Sequence, residues 1–222
     1  VIGIRTDQGG AGKVVVGHDM RPTGPDLVAA FVEGVTSHGV DVINVGLCST
    51  DGLYFASGKL GVPGAMFTAS HNPAKYNGIK LCRAGAAPVG QDSGLAEIRR
   101  MLEAQDIPSF SGAHGSSSEQ DMLVQYAQFL RELVPLDASR LLKVVIDTGN
   151  GMGGFTVPAV LGDQVLPALP LDIVPMYFEL DGTFPNHEAN PIEPENMRDL
   201  QAMVLETGAD IGLAFDGDAD RC

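Results

Sequence analysis

The sequence predicts an α/β protein made of two units with the same grammar. Short runs of Val, Ile, Leu and Ala alternate with amphipathic stretches of helical length from Lys13 to Phe215. The alternation breaks once, over Asp106 to Ser118, where Pro108, Gly112, Gly115 and Ser116-Ser117-Ser118 replace the apolar anchors. At 222 residues, 44% apolar and 19% charged, the chain has a globular composition and enough length for one large domain or two small ones.

Lys13 to Gly17 reads as a buried strand, and Arg21-Pro22-Thr23-Gly24-Pro25-Asp26 as a turn leading into a helix. Proline suits a first helical turn because the N–H it lacks has no acceptor there. Leu27, Val28, Phe31, Val32 and Val35 then line one helical face, and Gly39 supplies a left-handed stop. Val40 to Val45 is the second strand, after which Thr50 or Asp51 caps a short helix carrying Leu53, Tyr54 and Ala56. Gly64 to Thr68 and Ile79 to Cys82 are the next strands, and a helix over Ser93 to Gln105 presents Leu95, Ile98 and Leu102. Past the break come a helix with Met122, Tyr126, Phe129, Leu130 and Leu133, and strands at Lys143 to Asp147 and Asp172 to Phe178. A helix from Glu195 to Thr207 ends at Gly208, and a last strand covers Ala209 to Phe215. The expected units are residues 1–112 and 113–222.

Charge and cysteine usage exclude several function classes. Fourteen Lys and Arg face 28 Asp and Glu, a net charge of −14, so neither nucleic acid nor an anionic membrane surface is an expected partner. No apolar run approaches the roughly 18 residues of a membrane span. The stretch Val1 to Thr6 lacks the basic-then-apolar layout of a signal peptide, and without a leading Met it is expected to lie inside the translated product. Cys48, Cys82 and Cys222 are odd in number and far apart, which fits idle thiols in the reducing cytoplasm.

Two clusters carry chemistry. The first, Thr68-Ala69-Ser70-His71-Asn72-Pro73 with Tyr76-Asn77-Gly78-Ile79-Lys80, follows an apolar strand. It therefore places Ser70 at a strand's carboxyl end, where open α/β sheets bind ligands. A hydroxyl with His, Asn, Lys75 and Lys80 around it suits an anion, and the competing reading is an ordinary polar turn. Ser70 lacks the G-x-S-x-G elbow of a hydrolase. The second, Asp216-Gly217-Asp218-Ala219-Asp220-Arg221, alternates three carboxylates with small residues, so three oxygens can turn onto one hard cation. A solvated acidic turn is the alternative, and an EF-hand is excluded because Arg221 stands where that loop needs Gly. Arg221 beside the triad points to phosphate, which a guanidinium grips with two N–H groups. Asp147 to Gly154 reads as a tight strand-to-helix connection, Gly17 to Arg21 as a turn bearing one more Arg, and Asn186-His187 as a polar loop without assigned chemistry. His38 and His114 receive no role.

Taken together, these segments resemble the α-D-phosphohexomutase family, the phosphomannomutases and phosphoglucomutases. The resemblance also draws on Val15 to Arg21, Val145 to Gly151 and Asp181 to His187, and it spans nearly the whole chain as the family's first and second domains. It implies mixed-sheet, three-layer α/β/α domains, the second shortened, with no counterpart here to the third and fourth. It implies that Ser70 is a phosphoserine, that Asp216, Asp218 and Asp220 hold Mg²⁺ together with the Ser70 phosphoryl group, and that Lys80 is a general acid/base of lowered pKa. His71, Asn72 and Arg221 would surround the phosphoryl group as catalytic residues, and Arg21 would bind substrate. The implied reaction interconverts hexose 6-phosphate and hexose 1-phosphate through a hexose 1,6-bisphosphate. Mannose phosphate is the first expectation, with glucose and glucosamine phosphates as alternatives. Two departures stand out: Ile4-Arg5-Thr6 only echoes the family's Y-D-x-R-G segment, and Gly17-His18-Asp19 replaces its G-R-D, leaving Arg21 as the nearby cation. The rivals are a sugar-phosphate-binding half-enzyme without turnover and a metal-dependent phosphatase.

Overall fold

The computed structural model describes residues 12–136 and 140–222, and all structural statements refer to these. The echo at Ile4 to Thr6 lies outside them.

The first unit runs β1 (Lys13–His18), α1 (Gly24–Thr36), β2 (Asp41–Leu47), α2 (Thr50–Leu60), β3 (Gly64–Phe67), β4 (Ile79–Arg83), β5 (Ala87–Pro88), α3 (Leu95–Glu103) and β6 (Ser117–Glu119). Its sheet has the order β5-β4-β3-β1-β2-β6. β1 lies between parallel β2 and β3, while β4 and β5 return antiparallel. The mixed sheet of the expected three-layer architecture is thereby present. Because side chains alternate across a strand, Val14 and Val16 face α1, where Val28 and Val35 pack on them. Val15 faces α2, against Leu53 and Ala56. A strand covered on both faces needs an unbroken apolar run, which is why β1 reads Val-Val-Val.

The second unit contains α4 (Leu123–Leu133), β7 (Leu142–Asp147), α5 (Gly153–Val160), β8 (Leu171–Met176), α6 (Arg198–Thr207) and β9 (Ile211–Ala214). β7 is flanked in parallel by β8 and β9. Val144 and Ile146 meet Val157 of α5 on one face, and Val145 meets Leu200 of α6 on the other.

Three local readings differ from the sequence expectation. Residues 117–119, beyond the expected 112/113 boundary, pair with β2, so the first sheet continues through the Ser-rich stretch. Backbone pairing needs no apolar side chain, and the Asp41 carboxylate anchors that edge by accepting from the Ser116 amide and hydroxyl at 2.8 Å. The cap of α2 is Ser49, whose Oγ accepts from the Gly52 amide at 3.1 Å, and not Thr50 or Asp51. The Gly-rich segment after β7 is the expected tight strand-to-helix connection, opening directly into α5 with Gly154 against the Phe178 carbonyl where no Cβ would fit. Leu27, placed on the inner face of α1, is 40% exposed. Gly39 and Gly208 are left-handed, as their positions after helices require. Among the described residues, no helix is long and apolar enough to cross a membrane.

The carboxyl ends of β1, β3 and β9 converge on the seam between the units, and this brings the two motif clusters together. The packing yields a direct test. Leu53→Ala removes a side chain with no exposure and should cost about 2–5 kcal/mol of unfolding free energy in a urea titration. Leu27→Ala on the half-open face should cost under about 1 kcal/mol in the same measurement.

Candidate active site

β3 ends at Phe67, and the chain leaves it through a loop that returns as β4. Within this loop Ser70 adopts a left-handed conformation (φ 52°), with its amide donating to Thr68 Oγ1 at 2.8 Å. Backbone bonds from Asn72 to Ala69 and from Tyr76 to Pro73, each 3.0 Å, make consecutive turns. Arg21 fills the loop's interior. Its Nε donates to Asp19 Oδ2, Nη1 to the carbonyls of Pro73 and Tyr76, and Nη2 to those of Ser70 and Asn72, over 2.7–3.2 Å. A guanidinium has five N–H donors, and all five are engaged. Arg21 is 1% exposed. The expectation that it binds substrate is therefore corrected: it is the internal brace of the Ser70 loop.

The acidic loop follows β9 and closes on Ser70 from the other unit. Ser70 Oγ donates to Asp216 Oδ2 at 2.7 Å. Asp218 Oδ2 accepts from Thr50 Oγ1 and Lys80 Nζ, both at 2.6 Å, and Lys80 reaches Asp220 Oδ2 at 2.8 Å. The Arg221 guanidinium donates to Ser70 Oγ, to Asp216 and, at 2.8 Å, to His71 Nδ1. Gly217 makes the approach possible, since a Cβ there would stand 2.4 Å from the Ser70 carbonyl oxygen.

This donor set fits a metal. One ligand atom from each of Asp216, Asp218 and Asp220 lies within 4.8 Å of the others. Asp218 Oδ1 is buried and has no hydrogen-bond partner among the described residues. An orphaned buried carboxylate oxygen is costly unless a cation takes it, and three oxygen donors at one point suit a hard divalent ion.

The local electrostatics follow from burial and these contacts. Burial, reinforced by the charge of Asp218, pushes the Asp216 carboxyl up. Burial acts the same way on Asp218, but hydrogen bonds from Lys80 and Thr50 outweigh it and hold that carboxyl down. Burial pushes Lys80 down, yet its bonds to Asp218 and Asp220 prevail and raise it. In this arrangement the Lys80 ammonium neutralises the carboxylates directly.

The structure gathers Ser70, His71, Lys80, Arg221 and the three aspartates at one point. Asn72 is exposed and adjoins them through its backbone. Thr50 escaped the sequence reading. It looked like a helix cap, but it is buried with its hydroxyl on Asp218 and its amide on the Asp218 carbonyl at 3.1 Å. Its signal was a hydroxyl residue at the carboxyl end of a strand, one place after the residue that does the capping.

A second polar group lies at the carboxyl end of β7. His187 Nε2 lies 2.9 Å from Asp147 Oδ2, and Nδ1 lies 2.9 Å from the Glu188 carbonyl. Both partners are acceptor oxygens, so a protonated ring finds a partner at each nitrogen. The Asp147 hydrogen bond raises its pKa over the opposing effect of burial.

The model of the phosphoglucomutase/phosphomannomutase alpha/beta/alpha domain I matches residues 2–107, and that of domain II matches residues 124–222. The phosphomannomutase of Salmonella montevideo is 39% identical over 211 residues, covering 94% of this chain and 46% of its own length. The phosphomannomutase/phosphoglucomutase of Pseudomonas aeruginosa PAO1 is 40% identical over 209 residues, 94% of this chain and 42% of its own. A crystal structure of a phosphoglucomutase/phosphomannomutase family protein from Burkholderia thailandensis superposes with a TM-score of 0.76 at 34% identity, over 95% of this chain and 45% of that one. The chain spans about half the length of the curated relatives it matches.

Two outcomes follow from the geometry. Thr50→Val strips a buried carboxylate of a hydrogen bond and should lower unfolding free energy by about 1–3 kcal/mol in urea. His187 is raised above its unfolded pKa of about 6.5, so the stability it contributes is complete below that pH and fades as pH rises through the folded value. The gap in urea midpoint between wild type and His187→Ala should accordingly be wider near pH 6 than near pH 9.

Proposed function

The chain belongs to the phosphoglucomutase/phosphomannomutase family, and we propose that its protein interconverts hexose 6-phosphate and hexose 1-phosphate with Ser70 as the phosphoryl carrier. The observation that supports this most directly is the Ser70 hydroxyl set between Asp216 and the Arg221 guanidinium, with three carboxylates converging beside it. Mannose phosphate is the favoured substrate because the relatives at about 40% identity carry the name phosphomannomutase or phosphomannomutase/phosphoglucomutase. Glucose and glucosamine phosphates remain within the same chemistry. The free thiols of Cys48, Cys82 and Cys222 suit the cytoplasm.

Phosphoryl transfer asks for placement and charge stabilisation more than for covalent assistance. In the forward half-reaction the sugar hydroxyl attacks the phosphorus on Ser70, a new P–O bond forms to the sugar, and the P–Oγ bond breaks. The product is a hexose 1,6-bisphosphate, whose other phosphoryl group returns to Ser70 Oγ in the second half. Arg221 holds equatorial oxygen charge, and His71, which accepts from Arg221, keeps the guanidinium oriented. Asp216, Asp218 and Asp220 would hold Mg²⁺, which supplies charge neutralisation at the phosphoryl oxygens when bound. Lys80 exchanges the sugar hydroxyl's proton. Once its two carboxylate partners are engaged elsewhere, burial is the influence left on the ammonium, and burial favours the neutral amine.

The test is mass spectrometry after incubation with a hexose 1,6-bisphosphate and Mg²⁺. The expected result is one added phosphoryl group on Ser70 and none in Ser70→Ala. Inorganic phosphate released in step with substrate loss would instead mark a phosphatase. An unmodified wild type that still binds the bisphosphate would leave only a binding module. Arg221→Ala should slow phosphoryl uptake by about a hundredfold, read from the time course of the same mass shift.

A further inference from the structure

The segment from Asp181 to His187 has no part in the proposed chemistry, yet it meets the Arg21 brace and lies beside Gly217 of the acidic loop. Both of its ends are tied to the second unit. The Asp181 amide donates to the Asn150 carbonyl at 3.0 Å, Asn186 Nδ2 donates to Asn150 Oδ1 at 2.8 Å, and His187 holds Asp147. Asp181 Oδ1 accepts from the Thr183 amide and hydroxyl at 2.8 and 2.7 Å, which stiffens the turn between those ends.

The tip reaches the first unit. A Cβ on Gly182 would stand 2.8 Å from Arg21 Cα, so the two backbones are in direct contact. The buried ring of Phe184 lies with its centroid 5.2 Å from the Arg21 guanidinium carbon. That is cation–π distance, and the guanidinium's in-plane donors are all occupied, four by the Ser70 loop and Nε by Asp19. The Phe184 ring edge also comes within 3.6 Å of where a Gly217 Cβ would be, beside the metal loop.

The backbone here is held against its preferences. Of the seven non-glycine residues with positive φ among the described residues, Ser70, Asn150, Tyr177, Phe184 and Ala219 belong to this junction. Left-handed Phe and Tyr are uncommon and persist only where the surroundings over-determine them.

We propose that Phe184 is a positioning residue for phosphoryl transfer: its ring supports the Arg21 guanidinium from below and so keeps the Ser70 loop aligned with the metal loop of the other unit. This rests on the mutase reading for its chemistry and on geometry alone for its mechanics. The support is the face of the ring, because the edges of Arg21 are already committed.

Phe184→Leu separates a ring face from an apolar filler, since Leu keeps most of the apolar contact and has no π face. Gly182→Ala tests the same strut without touching the ring, by forcing the tip away from Arg21. Amide hydrogen exchange of the purified chain is the first readout. Both variants should speed exchange over Ser70 to Tyr76 by about tenfold while leaving Val14 to Val16 unchanged. Phosphoryl uptake by Ser70 from a hexose 1,6-bisphosphate is the second, and it should slow several-fold in both. Wild-type loop protection in Phe184→Leu would overturn the proposal, as would a loss of protection spread evenly over β1 in both variants. If wild type takes up no phosphoryl group, the mutase reading fails, and the exchange result still decides whether Phe184 holds the loop.

Discussion

Three carboxylates meet at the seam between the two units, two of them with no exposure, and the rest of the site is organised around their mutual repulsion. Each would be forced toward its neutral form by its neighbours if nothing opposed them. Opposition comes mainly from the other unit: the Ser70 hydroxyl on Asp216, the Thr50 hydroxyl and Lys80 ammonium on Asp218, and Lys80 again on Asp220. The docking of the two units and the assembly of the charge cluster are therefore one event. Pulling the units apart would leave buried carboxylates without the partners that offset their desolvation.

That dependence explains why the backbone is so tightly specified at the seam. Gly217 lets the acidic loop lie on the Ser70 carbonyl, and Gly182 lets the Asp181 to His187 segment lie against Arg21. Arg21 converts the fold of the first unit into a fixed Ser70 loop, with Nε held on Asp19 and both Nη groups donating to the loop carbonyls. If Ser70 carries a phosphoryl group as proposed, this matters because Ser70 and the acidic loop with Arg221 come from different units, and a small misplacement costs much of the rate.

The chemistry-bearing residues were readable because they are contiguous. Ser70 to Asn72 and Asp216 to Arg221 each follow an apolar strand, so position at a strand end and residue type arrive together in the sequence. Arg21 was located but misassigned, since a lone Arg after a strand does not say whether its donors turn outward to a ligand or inward to carbonyls. Thr50 went unnoticed because a hydroxyl at a helix start has a sufficient local explanation. β6 was hidden for another reason: an edge strand held by backbone pairing and by two Ser116 bonds to the Asp41 carboxylate carries no apolar period.

The sequence by itself determined the α/β class, the central strands, the helix stops at Gly39 and Gly208, and the two motifs that face each other. These are set by alternation, by glycine's freedom at positive φ, and by local residue chemistry, all of which act over a few neighbours. Only the tertiary structure decided which groups neutralise the aspartates, which face of Arg21 is free, and where the Asp181 to His187 segment goes. Those outcomes depend on contacts between residues up to 168 positions apart, as between Thr50 and Asp218, and no local pattern encodes the distance that folding closes between them.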